Sequence, residues 1–222
     1  MRKFILTVRP EPDGAIDVVT LARRNVPALS APLMAPSYHA PEMLASGKFS
    51  GVILTSRHAV TGLCAATGGK LDDRIAGLPA FAVGRATGRA AREAGFRNAA
   101  IGHGGGAGLV PLITEAAPRL DGPLLWPAAV HRGFDMAAAL DGIADVVTRP
   151  VYEMRETEIL PDDAVAAIAG GDVLGVILMS ARSARLFRER LLALGQDQAV
   201  ASMALIAGSD AIVAAAGDNW AE

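Results

Sequence analysis

GVILTSRHAV at residues 51–60 returns as GVILMSARSA at residues 175–184, with the first four residues and the serine at the sixth place unchanged. Neither copy alternates polar with apolar residues, which marks a strand covered by helices on both faces, as in a parallel sheet. Ser56 and Ser180 follow the apolar run by two positions, where a serine side chain caps the free N–H groups that open a helix. The echo continues at one spacing: FAVGRATGRAAREAG, with Gly84, meets ALIAGSDAIVAAAG, with Gly208, and 208 − 84 equals 175 − 51, or 124. Upstream, VRPEPDGAIDVVTLARRN answers LWPAAVHRGFDMAAALDGI when Pro10 is set on Pro127, an offset of 117. A period this long is no solenoid; it predicts two similar α/β units descended from a duplication.

Further apolar runs at Phe4 to Val8, Val52 to Leu54, Ala80 to Val83, Leu124 to Trp126, Val173 to Leu178 and Met203 to Ala207 read as strands, and helical patterns separate them. Ala86, Ala90 and Ala94 recur at helical spacing as a small-residue face, and Ala184, Phe187, Leu191 and Leu194 form the buried stripe of a later helix. Arg182, Arg185 and Glu189 project from another side of that helix. The pattern predicts an α/β class with two Rossmann- or flavodoxin-like domains, parallel sheets and right-handed crossovers. Two proline-bearing stretches interrupt it, Ala31 to Met43 with Pro32, Pro36 and Pro41, and Thr148 to Asp163 with Pro150 and Pro161. Both read as extended segments crossing from one domain to the other.

Composition limits the partners. The 222 residues are 51% hydrophobic, enough for sizeable cores, and 21 basic against 23 acidic residues leave no field to attract nucleic acid or a membrane surface. MRKFILTVRPEPDG begins as a signal peptide does, but Arg9 and Pro10 break its apolar run, and no stretch nears the roughly 20 apolar residues of a membrane span. A cytoplasmic protein is expected. Cys64 is the one cysteine, read as a small buried apolar residue, and His39, His58, His103 and His131 lack ligand spacing, so no metal site is expected.

The chemistry-bearing positions cluster after strands. GHGGGAG at residues 102–108 formally fits a dinucleotide fingerprint at Gly102, Gly104 and Ala107, yet Asp121 precedes a strand instead of ending one, as the ribose-binding acid should. A loop whose N–H groups receive a carboxylate or phosphate fits better. As nucleophiles Ser56 and Ser180 lack a matched base, since His58 is two residues from Ser56 and the other half offers only Arg182. Thr87 either caps the helix after Gly84 or points toward a ligand. Arg9 and Arg132 stand where open α/β sheets place their ligands, and Tyr152 lies on the second crossing segment.

Taken in order, RPEP, ILTSRHAV, FAVGRATGRAAREAGF, GHGGGAGL, VYEMRET and ILMSARSARLF followed by ALIAGSDAI resemble uroporphyrinogen-III synthase along nearly the whole chain. The resemblance implies a first domain from residues 1–36 and 152–222, a second from 37–151, and two extended segments joining them. It implies a cyclising hydro-lyase of haem biosynthesis: hydroxymethylbilane loses water and closes to uroporphyrinogen III, its last ring inverted through a spiro intermediate. No metal or organic cofactor is implied, and a monomer is expected with the tetrapyrrole as its one partner. Tyr152 matches the family's tyrosine and is the expected proton donor. Arg9, Ser56, Arg57, His58, Gly84, Thr87, Gly104, Gly105, Gly106, Arg132, Ser180, Ala181 and Arg182 are the expected substrate-binding residues.

The family commonly continues past the last helix with another strand and helix, whereas this sequence reaches Glu222, so an exposed edge is expected on the first sheet. Gly208, Ser209 and Asp210 also stand where relatives carry a threonine- or serine-rich turn. The alternative from another class is a non-catalytic two-domain binder of a small anionic ligand.

Overall fold

The computed structural model describes residues 3–39 and 48–221, so Pro41 and Met43 of the first extended segment lie outside the described residues. In chain order the first half holds β1 (Phe4–Thr7), α1 (Asp13–Ala22), β2 (Ala28–Ser30), β3 (Met34–Tyr38), β4 (Gly51–Leu54), α2 (Arg57–Ala66), α3 (Asp73–Ala76), β5 (Pro79–Ala82), α4 (Arg85–Ala94) and β6 (Asn98–Ile101). The second holds α5 (Val110–Ala116), β7 (Leu124–Ala129), α6 (Met136–Ala139), β8 (Val146–Glu156), α7 (Asp162–Ala169), β9 (Val173–Leu178), α8 (Ala181–Ala193), β10 (Ala204–Ala207) and α9 (Asp210–Ala216). The chain divides into two compact units, Met1–Ala35 with Arg155–Glu222, and Pro36–Met154. The two crossings therefore fall inside β3 and β8.

In the first unit the sheet order is β10-β9-β1-β2, all parallel. Strand β9 sits inside it, and Val176 and Leu178 are fully buried. On α8, Ala184, Phe187 and Leu191 are fully buried as their spacing predicts, while Leu194 is 40% exposed because the helix ends before it. Outside β10, Ala221 makes a parallel bridge to Ala204, and the Trp220 ring stacks on Phe187 at 6.3 Å. The edge expected to lie open is thus partly covered by residues 220–221.

In the second unit the order is β3-β8-β7-β4-β5-β6. Strand β4 is central, and Val52, Ile53 and Leu54 are each fully buried. Successive residues serve opposite faces. Val52 and Leu54 join Ala80, Ala82, Leu125 and Val151 against Ala59, Val60 and Leu63 of α2. Ile53 joins Phe81, Leu124 and Trp126 against Leu109, Ile113, Met136 and Leu140. Each fully buried leucine or isoleucine contributes about 1.5–3 kcal/mol relative to exposure. Sequence alternation is absent because both faces are dry.

The strand registers refine the internal repeat. Leu6 lies opposite Val176 and Leu125 opposite Val52, and since 176 − 52 is 124, Leu6 corresponds to Leu125 at an offset of 119 rather than the 117 that aligned Pro10 with Pro127. The two-residue difference keeps every side chain on its face, so the apolar pattern alone does not reveal it. In the next helices the caps are Gly84 and Ser209, an offset of 125, which puts Ser209 and not Gly208 opposite Gly84. The repeated Gly-Val-Ile-Leu has one role in both units. A Cβ on Gly51 would sit 3.1 Å from the Pro79 carbonyl oxygen, and one on Gly175 2.8 Å from that of Ala204, so each glycine lets the next strand approach.

Other expectations shift. On α4 Ala90 and Ala94 pack partly buried against the core as their spacing predicts, Ala86 is exposed, and the buried residues are Thr87, Gly88 and Ala91, so the face is centred to one side of the alanine row. The second extended segment pairs as β8, and its last two residues, Asp162 and Asp163, instead open α7, where acidic side chains favour the positive end of a helix. Strands β2 and β6, three and four residues long, carry too little apolar periodicity to be read in advance.

Candidate functional site

Numbered from β4, the second sheet runs 3-2-1-4-5 before β3 is added, so its connections reverse direction between β4 and β7. Open α/β sheets bind ligands beyond the carboxyl ends of the strands at such a reversal. Here that edge carries Thr55 and Ser56 after β4, Val83 and Gly84 after β5, the glycine loop after β6, and residues 130–135 after β7.

Ser56 is the N-cap of α2, its hydroxyl oxygen accepting the N–H of His58 at 3.1 Å. The same side chain stands close enough to Tyr152 to influence its phenol. Tyr152 is 8% exposed on β8, paired with Ala129 at the end of β7. Although the sequence reading assigned it to the returning part of the first domain, it packs within the second unit. Its ring lies 5.7 Å from that of His58. What brings α2 this close to β8 is Gly62, one turn after His58: a Cβ there would meet the Val151 carbonyl oxygen and Cγ2, each at 2.8 Å.

Burial pushes the Tyr152 phenol above its ordinary value, and the Ser56 hydrogen bond offsets only part of that rise. The group therefore stays protonated throughout the neutral range. Tyr38, on β3, was overlooked in the sequence; its hydroxyl lies 3.0 Å from Nδ1 of His58. Its phenol is raised by burial, lowered in part by a hydrogen bond with Thr61, and raised again by the neighbouring Tyr152.

Gly84 caps α4 with extended backbone and open space around its Cα, and Thr87 is buried in that helix's first turn, 6% exposed. Gly104 and Gly105 have φ of +81° and +78°, a region where a side chain is strained, and Gly106 opens a short 3₁₀ turn, Gly106–Leu109, that runs into α5. Phe134 packs where a Cβ on Gly106 would stand, 2.7 Å from that position. Arg132 donates to the carbonyls of Ala129 and Val130 and lies over the Trp126 ring at 5.2 Å. Residues Val130 to Asp135 line an open depression of about 460 Å³. Arg57 is half-buried at the head of α2. Ser56, His58, Tyr152 and the overlooked Tyr38 thus form one cluster.

In the first unit the reversal falls between β1 and β9. Ser180 caps α8 in a reciprocal box with Ser183, the two backbone N–H groups donating to the opposite hydroxyls at 3.0 and 3.2 Å. Ala181 opens that helix, and Arg182 donates to Glu156 at 3.1 Å. Arg9 is already held, donating to Asp17 at 3.0 Å and Asp13 at 2.8 Å. Among the described residues no three His, Cys, Asp or Glu side chains converge as ligands of a metal ion would.

The sequence model of the family described as HEM4, uroporphyrinogen-III synthase HemD, matches residues 18–220. Among curated proteins none matches the sequence significantly. The fold is similar to that of uroporphyrinogen-III synthetase from Helicobacter pylori, at 17% identity over 96% of this chain and 86% of that one, with a TM-score of 0.61. It is also similar to a mutant uroporphyrinogen III synthase from the extremely thermophilic bacterium Thermus thermophilus, at 19% identity over 96% of this chain and 87% of that one, with a TM-score of 0.56. At these identities the likeness speaks for the fold, and the match over residues 18–220 settles the family: the chain belongs to the uroporphyrinogen-III synthases, cyclising lyases of tetrapyrrole and haem biosynthesis.

Proposed function

We propose that this chain closes hydroxymethylbilane to uroporphyrinogen III with Tyr152 as proton donor to the departing hydroxyl. Backbone N–H groups at helix N-termini supply the main grip on the substrate's carboxylates. The observation that carries the reading is Tyr152 itself, buried yet placed at the carboxyl edge of a parallel sheet, with the His58 ring against it. Burial raises the phenol above its ordinary value, so at neutral pH it keeps a proton to give. A phenol is a weak donor at neutral pH, so its part is to assist departure of a group already pushed out by the pyrrole nitrogen.

The harder task is geometric. Unaided closure at the unsubstituted carbon gives the type I isomer, so the substituted carbon must be held in attacking position first. Holding reacting atoms at near-attack distance removes roughly 7–11 kcal/mol in favourable cases, whereas each tenfold preference between two closures needs only about 1.4 kcal/mol. Acetate and propionate groups are the handles. In the second unit the N–H groups of Ser56 and Arg57, Gly84 to Thr87 and Gly104 to Gly106, with Arg132, are assigned to them, while that of His58 goes to the Ser56 cap. In the first, the N–H groups of Ala181 and Arg182 at the start of α8 are assigned the same task, that of Ser180 going to Ser183, and Arg9, engaged by two aspartates, takes none. Each anion at a helix N-terminus gains about 0.3–1 kcal/mol. A cytoplasmic monomer completes the reading, and light scattering at working concentration tests its oligomeric part.

Tyr152→Phe tests the chemistry. The expected result is turnover reduced by about 10²-fold, the low end for one proton donor, with type III still the main product. Unchanged turnover removes Tyr152 as the acid. A non-catalytic binder predicts saturable binding of the tetrapyrrole with product forming only at the spontaneous rate.

A further inference from the structure

The chain has two tyrosines, and both pack on one histidine. The Tyr38 ring lies 6.4 Å from that of His58, and His58 lies 5.7 Å from Tyr152. His58 is 5% exposed, so its ring has little freedom to turn. Its ring packs against the proposed acid, and its backbone N–H holds the Ser56 oxygen at 3.1 Å. The Tyr38 hydroxyl lies 3.0 Å from Nδ1 of that ring.

The chemistry of the pair favours one direction for that bond: a phenol is a stronger acid than an imidazole N–H, and an imidazole nitrogen is a better base than a phenol oxygen. In that sense Tyr38 gives its proton to Nδ1 across the 3.0 Å separation, and the imidazole proton then sits on Nε2.

We propose that Tyr38 is a positioning residue, whose hydroxyl donates to Nδ1 of His58, fixes the Nε2–H tautomer and holds the imidazole against Tyr152 so that the phenol is aimed at the leaving hydroxyl. The inference rests on Tyr152 being the acid, but its first arm does not depend on turnover.

That arm is nitrogen-15 spectroscopy of the histidine rings in the protein without substrate, with the His58 signals assigned by their loss in His58→Gln. The expected result is a protonated Nε2 and a hydrogen-bonded Nδ1, with the Nδ1 signal moving in Tyr38→Phe. A wild-type His58 protonated at Nδ1, or signals unchanged in Tyr38→Phe, overturns the proposal whatever the protein catalyses. The second arm is a double-mutant cycle on turnover. Tyr38→Phe is expected to lower kcat about tenfold, a fraction of the cost of a 1 Å misplacement, with KM little changed. In a Tyr152→Phe background it is expected to cost almost nothing further. Equal losses in both backgrounds mean that Tyr38 does not act through Tyr152, which refutes the assignment. Absence of any type III product from the wild type instead defeats the functional reading and leaves the spectroscopic arm standing.

Discussion

Gly62→Ala is the sharpest probe of how the site is assembled. An alanine in mid-helix is favoured over glycine by about 1 kcal/mol, so at an open position it stabilises. At Gly62 the new methyl would stand 2.8 Å from both the carbonyl oxygen and Cγ2 of Val151, where ordinary contact begins near 3.4 Å. Strand β8 is held between β3 and β7 and has little room to yield, so α2 must recede by the shortfall of 0.6 Å, which is 3.4 minus 2.8. Overpacking of this kind costs about 1–3 kcal/mol, and after the propensity gain of about 1 kcal/mol we expect a net loss of up to about 2 kcal/mol. For a chain of this size that lowers Tm by up to about 8 °C. The same displacement pulls His58 and Ser56 away from Tyr152. Since a 1 Å misplacement can cost about 10²-fold, a kcat loss near tenfold is expected. Thermal unfolding and steady-state turnover of the variant give both numbers. A variant as stable as the wild type or more so, with full turnover, would show that α2 does not rest on β8 at this point, and the account of the site would fail with it.

Other expectations follow from the same geometry. Arg9→Ala leaves Asp13 and Asp17, whose side chains are 17% and 18% exposed, without their shared cation. Denaturant unfolding should show a loss of about 1–3 kcal/mol, largely restored by adding Asp17→Asn; equal stability of Arg9→Ala and wild type would contradict the clamp. Ser180→Ala removes half of the reciprocal cap of α8 and should cost about 1 kcal/mol in the same assay. The phenols of Tyr38 and Tyr152 and the Cys64 thiol are all raised in the folded protein, so the folded state binds these protons more tightly than the unfolded one. Their contribution is complete below the unfolded values, near pH 9 for the thiol and 10 for the phenols, and falls away as pH rises through the folded ones. Unfolding midpoints should decline above about pH 9, less steeply in Tyr152→Phe, and a flat profile there would refute the burial argument.

The sequence was most legible where structure is local. Ser56 and Ser180 could be read as caps because the bond they make spans only two or three residues. Gly-Val-Ile-Leu could be read as a central strand because burial on both faces removes alternation. The face of α4 is legible in part: Ala90 and Ala94 pack on the core as their spacing predicts, but its most buried side includes Thr87, a polar residue that carries no apolar signal. Tyr38 was missed for a different reason. Its partner is 20 residues away, and nothing in the local pattern signals that the end of β3 meets the head of α2. The role of Gly62 was equally hidden, since the backbone it must clear belongs to Val151, far along the chain.

The central claim is that this chain directs ring closure. Freshly prepared hydroxymethylbilane incubated with the protein, followed by oxidation and separation of the porphyrin isomers, tests it most directly. The account predicts mainly the type III isomer, formed faster than in a protein-free control. Type I isomer alone, appearing at the spontaneous rate, would contradict it.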